Sequence, residues 1–168
     1  ERLVRFGVDF SMLSVHDHAA IATAFEDEAT TLAIFEAPTN PMLQVPDIAR
    51  IVDLAKQHGV TTVLDNTFGG LHNHGDFEVD FYVHSLTKYA SGHGDVMGGA
   101  VIAIDSGISW LKPWAINMGS TLDPDPAYLI LRGLRTYYLR YEEHSRSALV
   151  IAEHLQRDPR VKRVCYPG

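Results

Sequence analysis

Apolar positions along the chain recur with two periods, and stretches of each kind take turns. Val4, Phe6, Val8 and Phe10 recur at every second residue, the period of a half-buried strand, so a strand is expected over residues 3–10. Residues 14–25 carry a modest helical pattern, with Ile21 and Phe25 one turn apart. Residues 32–36 and 60–64 are short apolar runs of the buried-strand type. Between them Ile48, Ile51, Val52 and Ala55 follow i, i+3, i+4, i+7. Pro46 is placed to open that helix and Gly59 to close it. Ala37-Pro38-Thr39-Asn40-Pro41 must be a loop, because a residue that precedes proline is pushed out of the helical region. Strand–helix–strand units in succession predict a mostly parallel sheet covered by helices, an α/β fold.

The second half is less regular. Residues 69–78 form a polar, glycine-containing connection, 80–84 a strand, and 88–99 a run of glycines and histidines too irregular for a long element. A strand is expected over 100–104 and a helix over 109–118, interrupted by Pro113. Residues 119–126 read as loop. From residue 127 to about 156 the pattern predicts one long helix, ended by Asp158-Pro159 and followed by a strand over 161–166. A helix of that length often joins two domains, which places a boundary near residue 145, with residues 1–145 in the first domain and 146–168 opening the second. No repeat or low-complexity tract interrupts the pattern.

Charge narrows the partners. Lys+Arg 14 against Asp+Glu 21 leaves a net charge of −7, scattered along the chain. A nucleic-acid partner, which wants a basic stripe, is not expected. No apolar run approaches the roughly 20 residues of a membrane span, and Glu1-Arg2-Leu3-Val4-Arg5 has no signal-peptide layout. The lone Cys165 forms no internal disulfide and fits a reducing compartment, so a cytoplasmic protein is expected. The chain lacks an initiator Met, opens on a strand pattern and stops at a turn; it reads as a piece of something longer.

The candidate chemistry lies at two strand ends. One apolar run ends in Asp65-Asn66-Thr67-Phe68, the next in His84-Ser85-Leu86-Thr87-Lys88-Tyr89. Such ends form the floor of ligand sites in open α/β sheets. A lysine there can form an imine with an aldehyde, hydroxyls can hold a phosphate, and an acid can keep a ring nitrogen protonated. Together these are the protein's share of pyridoxal phosphate (PLP) chemistry. Lys88 is the Schiff-base candidate. A free lysine, with a pKa near about 10.4, is a poor nucleophile at neutral pH, and burial beside a cationic pyridinium would lower it. Asp65 is the partner for the pyridine nitrogen; the alternative is a turn-capping aspartate. Ser85 and Thr87 are two apart, so both can point the same way from an extended strand end; the alternative is ordinary turn hydroxyls. A metal site built from His72, His74, His84 and His93 is rejected, since no cysteine and no helically spaced third ligand accompany them. Gly98-Gly99 suggests close backbone approach and no dinucleotide fingerprint. Tyr137, Tyr138 and Tyr141 read as packing or subunit contact.

Several ordered motifs resemble the Cys/Met-metabolism family of PLP enzymes. They are Glu36-Ala37-Pro38-Thr39-Asn40-Pro41, Asp65-Asn66-Thr67-Phe68, His84-Ser85-x-Thr87-Lys88-Tyr89-x-x-Gly92-His93-x-Asp95-x-x-Gly98-Gly99, Arg132-Gly133-Leu134-Arg135-Thr136 and Val164-x-Tyr166-Pro167-Gly168. The resemblance implies PLP fold type I, with a seven-stranded, mostly parallel sheet in a large domain. This chain would cover the second half of that domain and the start of a small C-terminal one. It implies elimination or replacement at the β or γ carbon of a sulfur-containing amino acid or activated homoserine. It also implies a homo-oligomer, a tetramer built as a dimer of dimers. By resemblance Ser85 and Thr87 contact the cofactor phosphate, Asn40 its phenolic oxygen, and Thr67 lies beside the ring. One stretch departs from the family: Gly69-Gly70-Leu71-His72-Asn73-His74-Gly75 replaces a loop that usually continues with Thr-Pro and a Gln, so a different wall of the site is expected there. The competing expectation is a non-catalytic homologue or inactive fragment that acts through subunit association.

Overall fold

The computed structural model describes residues 2–73 and 77–167. Its centre is a four-stranded sheet in the order β1 (Leu32–Glu36), β2 (Thr61–Asp65), β3 (Phe81–Ser85), β4 (Gly99–Ile102). The first three strands are parallel, and β4 runs antiparallel to β3. The reversal has a simple cause: the loop from Leu86 to Gly98 joins β3 to β4 with no crossover helix to carry the chain back.

Two helices cover one face of the sheet. α1 (His18–Glu26) starts where the Asp17 carboxylate accepts from the Ala20 N–H at 3.0 Å. α2 (Ile48–His58) starts the same way, with Asp47 accepting from the Arg50 N–H. Pro46 therefore precedes the cap and does not open the helix. Gly59 closes α2 in the left-handed conformation, φ 70°. Ile51, Leu54 and Ala55 of α2 and Ile21 and Phe25 of α1 pack on Phe35, Leu64 and Tyr82 of the sheet. Removing those side chains from water is the main stabilising term of this layer. Thr62, 1% exposed, faces the same way and satisfies its hydroxyl by exchanging hydrogen bonds with Asp80 just before β3.

The strand period decides what remains. If Leu64 and Tyr82 face the helices, then Asp65 and Ser85 face the other side. Glu36 pairs in register with Asp65 and joins them. The acid-bearing face lies opposite α1 and α2, at the carboxyl ends of the parallel strands.

Other expectations fail here. Residues 3–10 form no strand: Arg2–Phe6 is a 3-10 turn, and Leu3, Val4, Phe6, Val8 and Phe10 are exposed. Alternation makes a strand only where a neighbouring strand completes the ladder, and none lies beside them among the described residues. Residues 161–166 are likewise irregular; Tyr166 turns back and donates to the Ser145 carbonyl at 3.2 Å. The long helix is two, α4 (Pro124–Leu134) and α5 (Tyr137–Gln156). They part at Arg135-Thr136, where tight bonds from Arg135 N to Arg132 O and Thr136 N to Gly133 O end the first. α5 runs unbroken through residue 145. The preceding helix, α3 (Asp105–Asn117), starts earlier than expected and carries Pro113 within it.

Candidate active site

Hydrogen bonds stitch the carboxyl ends of β2 and β3 together. The Asp65 carboxylate accepts from the Thr67 N–H at 2.9 Å through Oδ1, and Thr67 Oγ1 accepts from the Ser85 N–H at 2.8 Å. The carboxylate is thereby turned by the backbone two residues on, and the Thr67 hydroxyl keeps its own proton to give. Beside it the Glu36 carboxylate accepts from the Asn40 N–H at 2.7 Å and fixes the Pro-flanked loop.

These side chains open on one cavity of about 440 Å³, within the range of small-molecule sites. Asp65, Thr67, Ser85, Lys88 and Asn40 all line it, so five of the six residues singled out from the sequence are brought together. Lys88 and Asp65, the amine and the acid of the proposed pair, share this single space. Lys88 is exposed at the cavity and not buried as expected from the sequence.

Thr87 is the exception. The strand ends at Ser85, so the period of two does not reach Thr87, which sits in the following turn. Its hydroxyl accepts from the Gly98 N–H at 3.0 Å and donates to the Gly98 carbonyl at 3.3 Å. It ties the start of the lysine loop to the entry of β4.

Glu36, Phe68, Tyr89, Arg140 and His144 also line the cavity, and none had been assigned a role from the sequence. Arg140 and His144 lie four and eight residues beyond Thr136, a helical spacing that continues the Arg132–Thr136 motif on one face; that was the available signal. Among the described residues of the glycine-rich departure, 69–73, none lines the cavity. Its Leu71 N–H donates to the Tyr137 hydroxyl at 2.8 Å, and His72 Nδ1 lies 3.1 Å from the same oxygen. Tyr141 donates to the Phe68 carbonyl at 2.8 Å. The loop is thus bound to the first turns of α5. His74 and Gly75 of that departure, and Gly168 of the last motif, lie outside the described residues. Among the described residues no three His, Cys, Asp or Glu side chains gather as a metal set.

Tyr89, Tyr137 and Tyr141 form an aromatic cluster with His72 at centroid distances of 5.0 to 5.6 Å. Burial pushes the Tyr89 and Tyr137 hydroxyls up, and pushes Tyr141 up to about 12, with nearby tyrosines adding to it. An ordinary tyrosine ionises near about pH 10. Between there and pH 12 the unfolded chain loses protons that the folded one keeps, so stability falls as pH rises through this window. Alkaline denaturation should show this slope, and Tyr141→Phe should flatten it; an unchanged slope would refute the assignment.

The sequence profile described as Cys/Met metabolism PLP-dependent enzyme matches residues 1–168. The chain is 36% identical over 167 residues to L-methionine gamma-lyase of Pseudomonas putida, covering 97% of this chain and 42% of that protein. It is 38% identical over 171 residues to cystathionine beta-lyase of Bacillus subtilis, covering 100% and 44%. The crystal structure of cystathionine gamma-lyase from Lactobacillus plantarum, complexed with L-serine, superposes with a TM-score of 0.90 at 35% identity. That match covers 99% of this chain and 44% of the other. The chain spans less than half the length of each of these relatives.

Proposed function

The chain belongs to the Cys/Met metabolism family of PLP-dependent enzymes, and from that premise we propose that Lys88 binds PLP in a full-length enzyme acting on a sulfur-containing amino acid or an activated homoserine. The reaction is elimination or replacement at the β or γ carbon. The observation that carries this reading is the shared cavity, lined by an amine, an acid, two hydroxyls and an amide.

The donor set fits the cofactor. Asp65 would hold the proton on the ring nitrogen through Oδ2, for which no partner occurs among the described residues. Ser85 would donate to the phosphate. Thr87 would join it only by turning its O–H from the Gly98 carbonyl to a phosphate oxygen, since the phosphate accepts and does not donate. Asn40 would donate to the phenolic oxygen from a side chain whose backbone Glu36 already fixes. Thr67 would lie beside the ring and keep Asp65 aimed. When bound, PLP supplies an electron sink that acidifies the substrate Cα. The freed amine of Lys88 would take the Cα proton and could pass it to the departing group, and in a replacement it would take the proton that an incoming thiol gives up. The relatives' names divide between β and γ chemistry and between lyase and synthase, so they support the class of reaction and not one member of it.

A homo-oligomer belongs to this reading. It is supported by large apolar side chains standing exposed on α3 and α5, among them Trp110, Trp114, Leu139 and Ile151. The residues after 145 are read as the start of a second domain, and a cytoplasmic setting suits the single cysteine. No helix among the described residues is long and apolar enough to cross a membrane.

The test uses the full-length protein. Added PLP should give a visible absorption band that shifts when an amino-acid substrate is added. A panel of cystathionine, methionine, cysteine and O-acetylhomoserine, scored for keto acid and thiol, should then identify the substrate. A protein that stays colourless with PLP would overturn the proposal in favour of a non-catalytic homologue.

A further inference from the structure

Among the described residues Arg140 is the only arginine lining the cavity, and a guanidinium beside an amino-acid site invites the role of carboxylate anchor. Its hydrogen bonds argue against that role. Nε donates to Thr136 Oγ1 at 3.1 Å, Nη1 to the Tyr89 carbonyl at 2.9 Å, and Nη2 to the carbonyls of Ala90 and Gly133 at 3.3 and 2.8 Å. Four of the five N–H donors of a guanidinium are thus taken by the protein itself.

The partners belong to two distinct places. Gly133 and Thr136 flank the break between α4 and α5. Tyr89 and Ala90 are the two residues that follow Lys88. The contact between those places is otherwise steric: a methyl at Gly133 would collide with the carbonyl oxygens of Ala90 and Ser91. Above the guanidinium sits Gly92, φ +72°, where a methyl would run into Nη1. The lysine turn itself is closed by Ser91 N to Leu86 O at 3.0 Å and Gly92 N to Lys88 O at 2.8 Å. A planar fork with charge-assisted bonds to three carbonyls therefore pins the carboxyl side of that turn to the helix junction.

We infer that Arg140 is a positioning residue: it holds the turn that carries Lys88 at the angle from which its amine reaches the cavity, and it does not bind substrate. The inference rests on the proposed role of Lys88 as the cofactor lysine. Lysine cannot replace it, because one ammonium cannot span the junction and two successive loop carbonyls.

The test compares Arg140→Lys, Arg140→Met and the milder Thr136→Val in the full-length protein. Arg146→Met, which removes only a surface pair with Glu143 one to two turns on, is the control. In cofactor-free protein, amide exchange at Ser91 and Gly92 should quicken at least tenfold in both Arg140 variants, and less in Thr136→Val, with α1 and α2 unchanged. With PLP, the visible band should form at least tenfold more slowly and kcat should fall more than KM rises. Lysine should not rescue either readout, and Arg146→Met should match wild type. Unchanged exchange at Ser91 and Gly92, or a rise in KM alone, overturns the inference. A wild type that takes up no PLP defeats the proposed function instead, while the exchange measurement still decides whether Arg140 pins the turn.

Discussion

Lys88→Ala in the full-length protein should abolish the visible band that PLP gives the wild type and lower turnover by a factor on the order of 10³ or more. Two losses compound. The variant has no amine to join the cofactor aldehyde, and no base placed to carry the substrate's Cα proton. The backbone should be indifferent. Lys88 is exposed, its side chain forms no ion pair among the described residues, and the turn is closed by backbone bonds from Lys88 N to Ser85 O and from Gly92 N to Lys88 O. The melting temperature should therefore stay near that of the wild type, which separates a chemical loss from a folding one. Lys88→Arg should fail equally, since a guanidinium keeps its charge and forms no imine under these conditions. Retention of the band in Lys88→Ala would move the cofactor lysine elsewhere and dissolve the assignment.

What the sequence showed and what it hid follow one physical line. β2, α2 and Gly59 were legible because each is local: a β-branched run, an i, i+3, i+4 stripe and a left-handed cap depend on neighbours a few residues away. Asp65, Ser85 and Lys88 were legible because strand ends of a parallel sheet are where side chains converge. Residues 3–10 were misread because a strand is defined by its partner, and alternation says nothing of whether one is there. The break at Arg135-Thr136 was invisible for a related reason. No proline or exposed glycine marks it, and part of what holds it is the Arg140 side chain reaching back to Gly133 and Thr136. Thr87 was placed by extending the strand period two residues past the strand. The described part of the glycine-rich departure makes a seam with α5, through Tyr137 and Tyr141, that the sequence did not signal. In each case the missing knowledge was a contact that the local apolar periodicity does not encode.

Asp65→Asn should retain PLP but lower turnover by a factor of roughly 10 to 10³, corresponding to a loss of about one to three units of pKa support at the ring nitrogen. The asparagine keeps an oxygen for the Thr67 N–H that now bonds Oδ1, so the strand end should hold its shape while the charge is gone. The sign of the pH effect follows. An anion beside the ring nitrogen favours its protonated form; removing the anion lowers that nitrogen's pKa, so the active fraction shrinks at neutral pH and grows as pH falls. The activity profile of Asp65→Asn should accordingly move to the acid side. Asp65→Ala should do worse, since it also frees the Thr67 N–H and with it the Thr67–Ser85 link. Glu36 makes the experiment sharper. It pairs in register with Asp65 on the same sheet face and lines the same cavity, so among the described residues it is the carboxylate placed to supply part of the missing charge. If it does, Glu36→Gln should cost far more in the Asp65→Asn background than in the wild type, a coupling that a double-mutant cycle reads directly. Wild-type turnover and an unmoved pH profile in Asp65→Asn would show that the acid serves the turn alone, and that the ring nitrogen, if a ring binds here, is held by something else.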